Sequence, residues 1–254
     1  MRVQSLSLVA ASTALLAPTT LPADTVHHSV PEERALRTER AVRVERASRG
    51  GSRPEGAVRA ADLLARVREC RQVSRGRYRP DAGARATIPV CGLSGAVFWK
   101  ADMDIDCDGR PTARCNRRTD PHFSPAAAYQ QSDGRRLNAE RLPYIVLPAP
   151  SRIWNHRRHG VGAGSVAAVV YRGRVQYAVV GDTGPRDLIG EASYATARRL
   201  GIPADPSTGG VCSEVTYIVF KNARVGSIED QAAAVAAGER LARRLVEGGS
   251  GRAR

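Results

Sequence analysis

Two carboxylates in one short stretch could do acid–base chemistry. The segment VVGDTGPRDLIGEAS, Val179–Ser193, runs an apolar strand into Gly181-Asp182-Thr183-Gly184-Pro185, and Glu191 follows nine residues after Asp182. Hydrolysis of a glycosidic bond needs one carboxylic acid to protonate the leaving oxygen and a second carboxylate to activate water or attack the sugar. The pair must face one cleft, with acidities pushed apart by their surroundings. Gly181 and Gly184 let the backbone approach a substrate closely, and Pro185 stiffens the turn. A strand-end Asp and a Glu at a helix start can flank one cleft. A solvated Asp-Gly turn explains the same letters, so the rest of the chain has to decide.

A second acidic run, ADMDIDCDG, carries Asp102, Asp104, Asp106 and Asp108 ahead of Gly109. Strand alternation puts all four on one face. That much like charge needs a cation, a cationic substrate or water to offset it. Asp104-x-Asp106-x-Asp108-Gly109 matches the opening of a calcium loop, but the position of its bidentate Glu is taken by Cys115. A full calcium loop is therefore not expected. A partial calcium site and a cluster that reads an amino-sugar cation both stay open.

The elements that must hold these groups are legible in outline. AVRAADLLARVREC, Ala57–Cys70, has helical spacing, with Val58, Ala61, Leu64, Ala65 and Val67 able to share a face. GAVFWKADMDID reads as a strand entering an acidic loop, and LPYIVLPAP as a short strand closed by prolines. SVAAVVYRGRVQYAVVGD is a hairpin, two β-branched runs around Arg172-Gly173-Arg174. ASYATARRLGI is a short helix stopped by Gly201, SEVTYIVF a further strand, and SIEDQAAAVAAGERLARRLVEG a terminal helix capped by Ser227, with Asp230 three residues on. The pattern is β-rich α+β, not alternating β and α. It predicts a compact, mostly antiparallel β-barrel core with peripheral and C-terminal helices. The strand count suits six strands, with a double-psi barrel as one form.

The N-terminus reads as an export signal over residues 1–23: Arg2, an apolar run Leu6–Ala17, and Leu21-Pro22-Ala23 before Asp24. No other run is long and apolar enough to span a bilayer, so the mature protein is expected in solution outside the cell. Five cysteines fit that compartment. Cys107 with Cys115 and Cys70 with Cys91 are the expected disulfides, and Cys212 is left over. The spacings lack the close pairs of a structural zinc site. Residues 24–55 place Arg34, Arg37, Arg40, Arg43, Arg46 and Arg49 at a period of three, which forms no buried helix face. The segment is expected to be a disordered, Arg-rich linker or propeptide, read as a tether in preference to an anchor on an anionic wall. Residues 56–247 are the expected catalytic domain and 248–254 a disordered tail. The formal charge of +14 raises nucleic acid as a partner. The arginines are scattered, however, and no basic and aromatic stripe accompanies them, so none is expected.

DMDIDCDG, YIVLP, GDTGP...IGEAS and VTYIVF, in that order over about Ala96–Phe220, resemble glycoside hydrolase family 75, the fungal-type chitosanases. The resemblance implies an endo-acting, inverting hydrolase of β-1,4 bonds in chitosan that needs no cofactor. Its essential Asp and Glu fall on Asp182 and Glu191, with carboxyls roughly 6.5–9.5 Å apart. Glu191 is taken as general acid, in apolar surroundings from Ile189, Ala192 and Tyr194, and Asp182 as general base; the roles can be exchanged. Asp187, between them, is a third candidate. Asp104 and Asp106 are expected to line glucosamine subsites, with Tyr177, Asn155 and His156 as weaker candidates. Cys212 and the Arg-rich segment depart from the pattern, and the positive charge sits awkwardly with a cationic polymer unless the acidic runs make a negative cleft.

Two further readings compete: a hydrolase of de-N-acetylated peptidoglycan, and a non-catalytic wall-binding module on the same scaffold. The intact GDTGP and IGE favour catalysis. The low aromatic content, 5%, speaks against a module that stacks sugars. A monomer is the default expectation.

Overall fold

The computed structural model describes residues 57–250, without the side chains of the last two. The signal and linker segments read from the sequence lie outside the described residues. Among the described residues are seven strands: β1 (Cys91–Leu93), β2 (Ala96–Asp106), β3 (Tyr144–Pro148), β4 (Ser165–Tyr171), β5 (Arg174–Gly184), β6 (Glu191–Ser193) and β7 (Val211–Arg224). They are joined by helices α1 (Ala60–Arg66), α2 (Tyr194–Leu200) and α3 (Gln231–Ser250) and a 3-10 turn at His156–His159.

Six strands close into a barrel in the order β2-β6-β3-β5-β4-β7, with β7 pairing back onto β2 and β1 attached to β2's first residues. The junctions β2–β6 and β3–β5 are parallel; the other four are antiparallel. The β-rich α+β barrel expected from the pattern is thus the observed fold. Its interior is filled from alternate positions, among them Trp99, Met103, Ile145, Val169, Val180 and Tyr217. Trp99 stacks on Tyr217 with ring centroids 5.3 Å apart. Each such side chain removed from water contributes about 1.5–3 kcal/mol.

The barrel's outer surface is covered unevenly. α1 and α3 lie over Ala96, Phe98, Val166, Ala168, Val170 and Ile218. Strand β4 is therefore buried on both faces, and its sequence reads as an unbroken apolar run for that reason. The hairpin β4–β5 turns at Arg172 (φ 42°) and Gly173 (φ 78°), two left-handed residues that match the strand twist. Helix α2 is capped by Ser193, whose hydroxyl accepts from the Thr196 N–H, and ends at Gly201 with φ 77°.

Several expectations are corrected in detail. The buried face of α1 is Ala60, Leu63 and Val67, while Ala61 and Ala65 are exposed. The cap of α3 is Asp230, whose Oδ1 accepts from the Ala233 N–H at 2.8 Å. Ser227 instead heads the turn before it. A carboxylate accepts the orphan N–H directly, so the capping box is not needed. Helix α3 also runs to Ser250, three residues into the stretch read as tail. No helix among the described residues is long and apolar enough to cross a membrane. Both expected disulfides are present, and Cys212 is free and exposed.

Candidate active site

The acidic run is not a loop. β2 continues through Asp106, so Asp102, Asp104 and Asp106 project from its outer face, beyond the part that α1 and α3 cover. Ala101, Met103 and Ile105 alternate with them and fill the barrel. Asp108 follows in the loop, where Tyr144 Oη donates to its carbonyl at 3.0 Å and its own Oδ1 accepts from the Ser124 N–H at 2.7 Å.

A β-bulge brings Asp182 to the same face. Ile145 pairs with Val180 and Val146 with Asp182, leaving Gly181 as the extra residue. Val180 points into the barrel. Without the bulge Asp182 would share that direction, because a shift of one residue exchanges the faces of a strand. With it, Asp182 turns outward, level with Val146. Gly181 is required here because a Cβ would strike the Tyr144 ring.

Glu191 reaches this face through register. It is the parallel partner of Asp104, and the antiparallel pair Ile145–Ala192 sets it level with Val146. A row Asp104, Glu191, Val146, Asp182 therefore crosses four strands. The backbones bearing Glu191 and Asp182 stand two strand spacings apart, roughly 9.5 Å. Glu191 extends across β3: a Cβ on Gly184 of β5 would lie 3.2 Å from its Oε2.

The two carboxyls have different surroundings. Asp182 is 5% exposed, and its Oδ1 accepts from the Ala128 and Thr183 N–H groups at 2.6 Å each. Burial raises its pKa, and those bonds, which favour the anion, oppose the rise. Glu191 is part-buried, and nothing among the described residues donates a hydrogen bond to it. Burial, then the charges of Asp104, Asp182, Asp108 and Asp120, push it up to about 8. The surroundings of Glu191 thus favour its protonated form, beside a carboxylate whose hydrogen bonds favour the anion. Asp106, as buried as Asp182, is driven well above its ordinary value by burial and by the charges of Glu191 and Asp182. Burial brings Asp108 up to about 6.

The carboxylates fall into two groups. One oxygen each from Asp106, Asp108 and Asp182 lies within 4.8 Å of the other two, and the same holds for Asp81, Asp102 and Asp104. Either spacing can be spanned by a cation. The structure thus brings Asp182, Glu191, Asp104 and Asp106 together and leaves other candidates elsewhere. Asp187 is exposed and faces Arg79 at 3.6 Å. Tyr177 packs beneath α3, where a Cβ on Gly238 would meet its ring. Asn155 caps the 3-10 turn. His156 is fully buried, its Nδ1 2.9 Å from the Val161 carbonyl, and burial lowers its pKa. Ile189 and Ala192 sit in the core, while Tyr194 is only part-buried. Asp81, Asp120 and the Ala128 N–H belong to the site and were missed. Each comes from a loop distant in sequence, and no local pattern marks it.

A model of the fungal chitosanases of glycosyl hydrolase group 75 matches residues 103–245. An endo-chitosanase of Aspergillus fumigatus is 32% identical over 143 residues, covering 51% of this chain and 60% of its own. Endo-chitosanase B of Aspergillus oryzae is 30% identical over 152 residues, covering 53% and 63%. Endo-chitosanase C of the same organism is 31% identical over 131 residues, covering 50% and 32%. The chain therefore spans between about a third and under two thirds of the length of these relatives. Among solved structures, the Streptomyces papain inhibitor aligns over 53% of this chain and all of its own, at 18% identity and a TM-score of 0.32.

Proposed function

The chain belongs to the fungal chitosanase family, glycosyl hydrolase group 75, and from that membership we propose that it is an exported endo-chitosanase that cleaves bonds between glucosamine units with inversion. Glu191 protonates the leaving oxygen, and Asp182 takes a proton from the attacking water. The observation that carries this reading is the unequal environment of the two groups. Asp182 accepts two backbone N–H bonds. Glu191 has none, and burial with the neighbouring carboxylates pushes its pKa up to about 8. An acid and a base need such a division. The chemistry asks for no cofactor.

The acidic face also answers the objection from net charge. Aspartates from β2 and its flanking loops concentrate negative potential around the pair, and local potential governs the approach of a cationic polymer. Two disulfides and the apolar N-terminus support export, since disulfides persist in oxidising compartments.

The test is reducing-end release from highly deacetylated chitosan by the full chain, beside Asp182→Asn and Glu191→Gln. Release by the parent, lost in both folded variants, is the expected outcome. A folded parent that binds chitosan without cleaving it would move the reading to a wall-binding module.

A further inference from the structure

Two backbone N–H groups hold Asp182, and one of them comes from far along the chain. The Thr183 N–H arrives with Asp182 itself. The Ala128 N–H, 2.6 Å from Asp182 Oδ1, lies 54 residues earlier in sequence. The chain around it, from Phe123 to Tyr129, belongs to no helix or strand. Ala126, Ala127 and Ala128 have no side-chain hydrogen-bonding group of their own. Something else must keep that N–H on the carboxylate.

Asp108 is placed to do so. Its Oδ1 accepts from the Ser124 N–H at 2.7 Å, and the Gly109 N–H donates to the Ser124 carbonyl at 3.0 Å. Both backbone groups of Ser124 are thus taken by one pair of adjacent residues. The hold then passes along the loop. Ser124 Oγ donates to the Ala126 carbonyl at 2.9 Å and accepts from its N–H at 3.3 Å, and Pro125 between them has a fixed φ. Ala128 follows two residues on. The other end of the brace is fixed as well. The Asp108 N–H donates to Asp106 Oδ1 at 2.6 Å, its carbonyl accepts from Tyr144 Oη at 3.0 Å, and Cys107 before it is bonded to Cys115. Gly109 has φ 120°, and a Cβ there would strike the Leu137 carbonyl, so the clamp requires glycine at that position. Buried Phe123 anchors the start of the loop too, but an apolar contact is non-directional and aims no N–H.

We propose that Asp108 is a positioning residue for the base: its carboxylate braces the Ser124–Ala128 loop so that the Ala128 N–H stays on Asp182 Oδ1. The inference deepens the hydrolase reading and rests on it for the role of Asp182, while the brace itself does not. A general base must be aimed at its water and stay ionised, and a hydrogen bond to the anion serves both ends. The brace uses the acceptor oxygen of Asp108 and not its charge. An amide can therefore replace it, and a methyl cannot.

The test compares Asp108→Ala with Asp108→Asn in the full chain. Both remove the charge, and only Asn keeps an oxygen that accepts from Ser124. On highly deacetylated chitosan, kcat of Asp108→Ala should lie roughly 10–100-fold below that of Asp108→Asn at a similar KM, towards the cost of misplacing a reacting group by about 1 Å. Its acid limb of kcat/KM should sit at higher pH, because Asp182 has lost a bond that favours its anion, and the alkaline limbs should coincide. Asp106, Asp120 and Glu191, the other charged groups around the pair, are the same in both variants. A loss of fold alone would lower activity alike at every pH. Hydrogen exchange read by mass spectrometry should show the peptide bearing Ala128 exchanging faster in Asp108→Ala than in Asp108→Asn. Ser124→Ala, which cuts the next link and leaves the acidic group intact, should move both readouts the same way by less, and it decides the matter if Asp108→Ala does not fold. Asp108→Asn as impaired as Asp108→Ala would mean that the charge matters and not the brace, which overturns the proposal. So does equal exchange at Ala128 in the two variants. Faster exchange in Asp108→Ala alone, with a parent that cleaves no chitosan, would sustain the brace and sink the hydrolase reading.

Discussion

The outer face of β2 has two halves with opposite fates. Ala96 and Phe98 lie beneath α1 and α3. A few residues on, Asp102, Asp104 and Asp106 point the same way but lie outside the cluster that α1 and α3 cover. The backbone is continuous and the alternation unchanged; only the side chains differ. The apolar half is closed by helices that bury it. The acidic half is only partly open: Asp104 is exposed, whereas Asp102 and Asp106 are buried, and burial raises the pKa of both.

That contrast can be broken from either end. The largest effect should come from the open half: Glu191→Gln or Asp182→Asn should lower kcat by roughly 10²–10⁴-fold, the range of a lost acid or base, while circular dichroism shows the fold intact. Phe98→Ala, on the covered half, should do the reverse. It should cost about 3–5 kcal/mol in denaturant unfolding and leave the kcat of the folded fraction near the parent's.

The acidic half should also make stability fall with rising pH. Glu191 is held at about 8 and Asp102 at about 7, above ordinary carboxyl values. A group whose folded pKa is raised binds its proton more tightly in the native state. Its favourable contribution is full below the unfolded value and is lost as pH rises toward the folded one. The melting temperature should therefore drop between about pH 4.5 and 8, and drop less in Glu191→Gln. Activity should fall on the alkaline side as Glu191 loses its proton. The smallest effect is expected at Asp187: its exposed pair with Arg79 at 3.6 Å is worth under about 1 kcal/mol. Asp187→Asn should leave kcat/KM within a factor of two.

The same contrast explains what was legible in the sequence. Five of the six barrel strands, the hairpin and both disulfides follow from apolar runs, turn residues and cysteine spacing, whereas β6, which carries Glu191, was read as the start of a helix. Asp182 and Glu191 stood out because glycines flank them. Their company did not. Asp81, Asp120 and Ala128 arrive from separate loops, and only the closed sheet brings them to one face. The raised pKa of Glu191 was expected from apolar neighbours. Ile189 and Ala192 are buried in the core, and part of the rise comes from four aspartates, a sum that one segment does not display. Tyr177 lies on the same outer face as Asp182, since the bulge at Gly181 turns Asp182 outward, but it sits five residues back along β5, where α3 covers it.

The most direct test of the acid–base pair is the anomeric form of the first product, followed by proton NMR as the full chain cleaves the glucosamine hexamer, with Asp182→Asn and Glu191→Gln alongside. The α-anomer appearing first, and no product from either variant, is the expected result. The β-anomer appearing first, or turnover surviving in either folded variant, would contradict the account of Asp182 and Glu191 as an inverting pair.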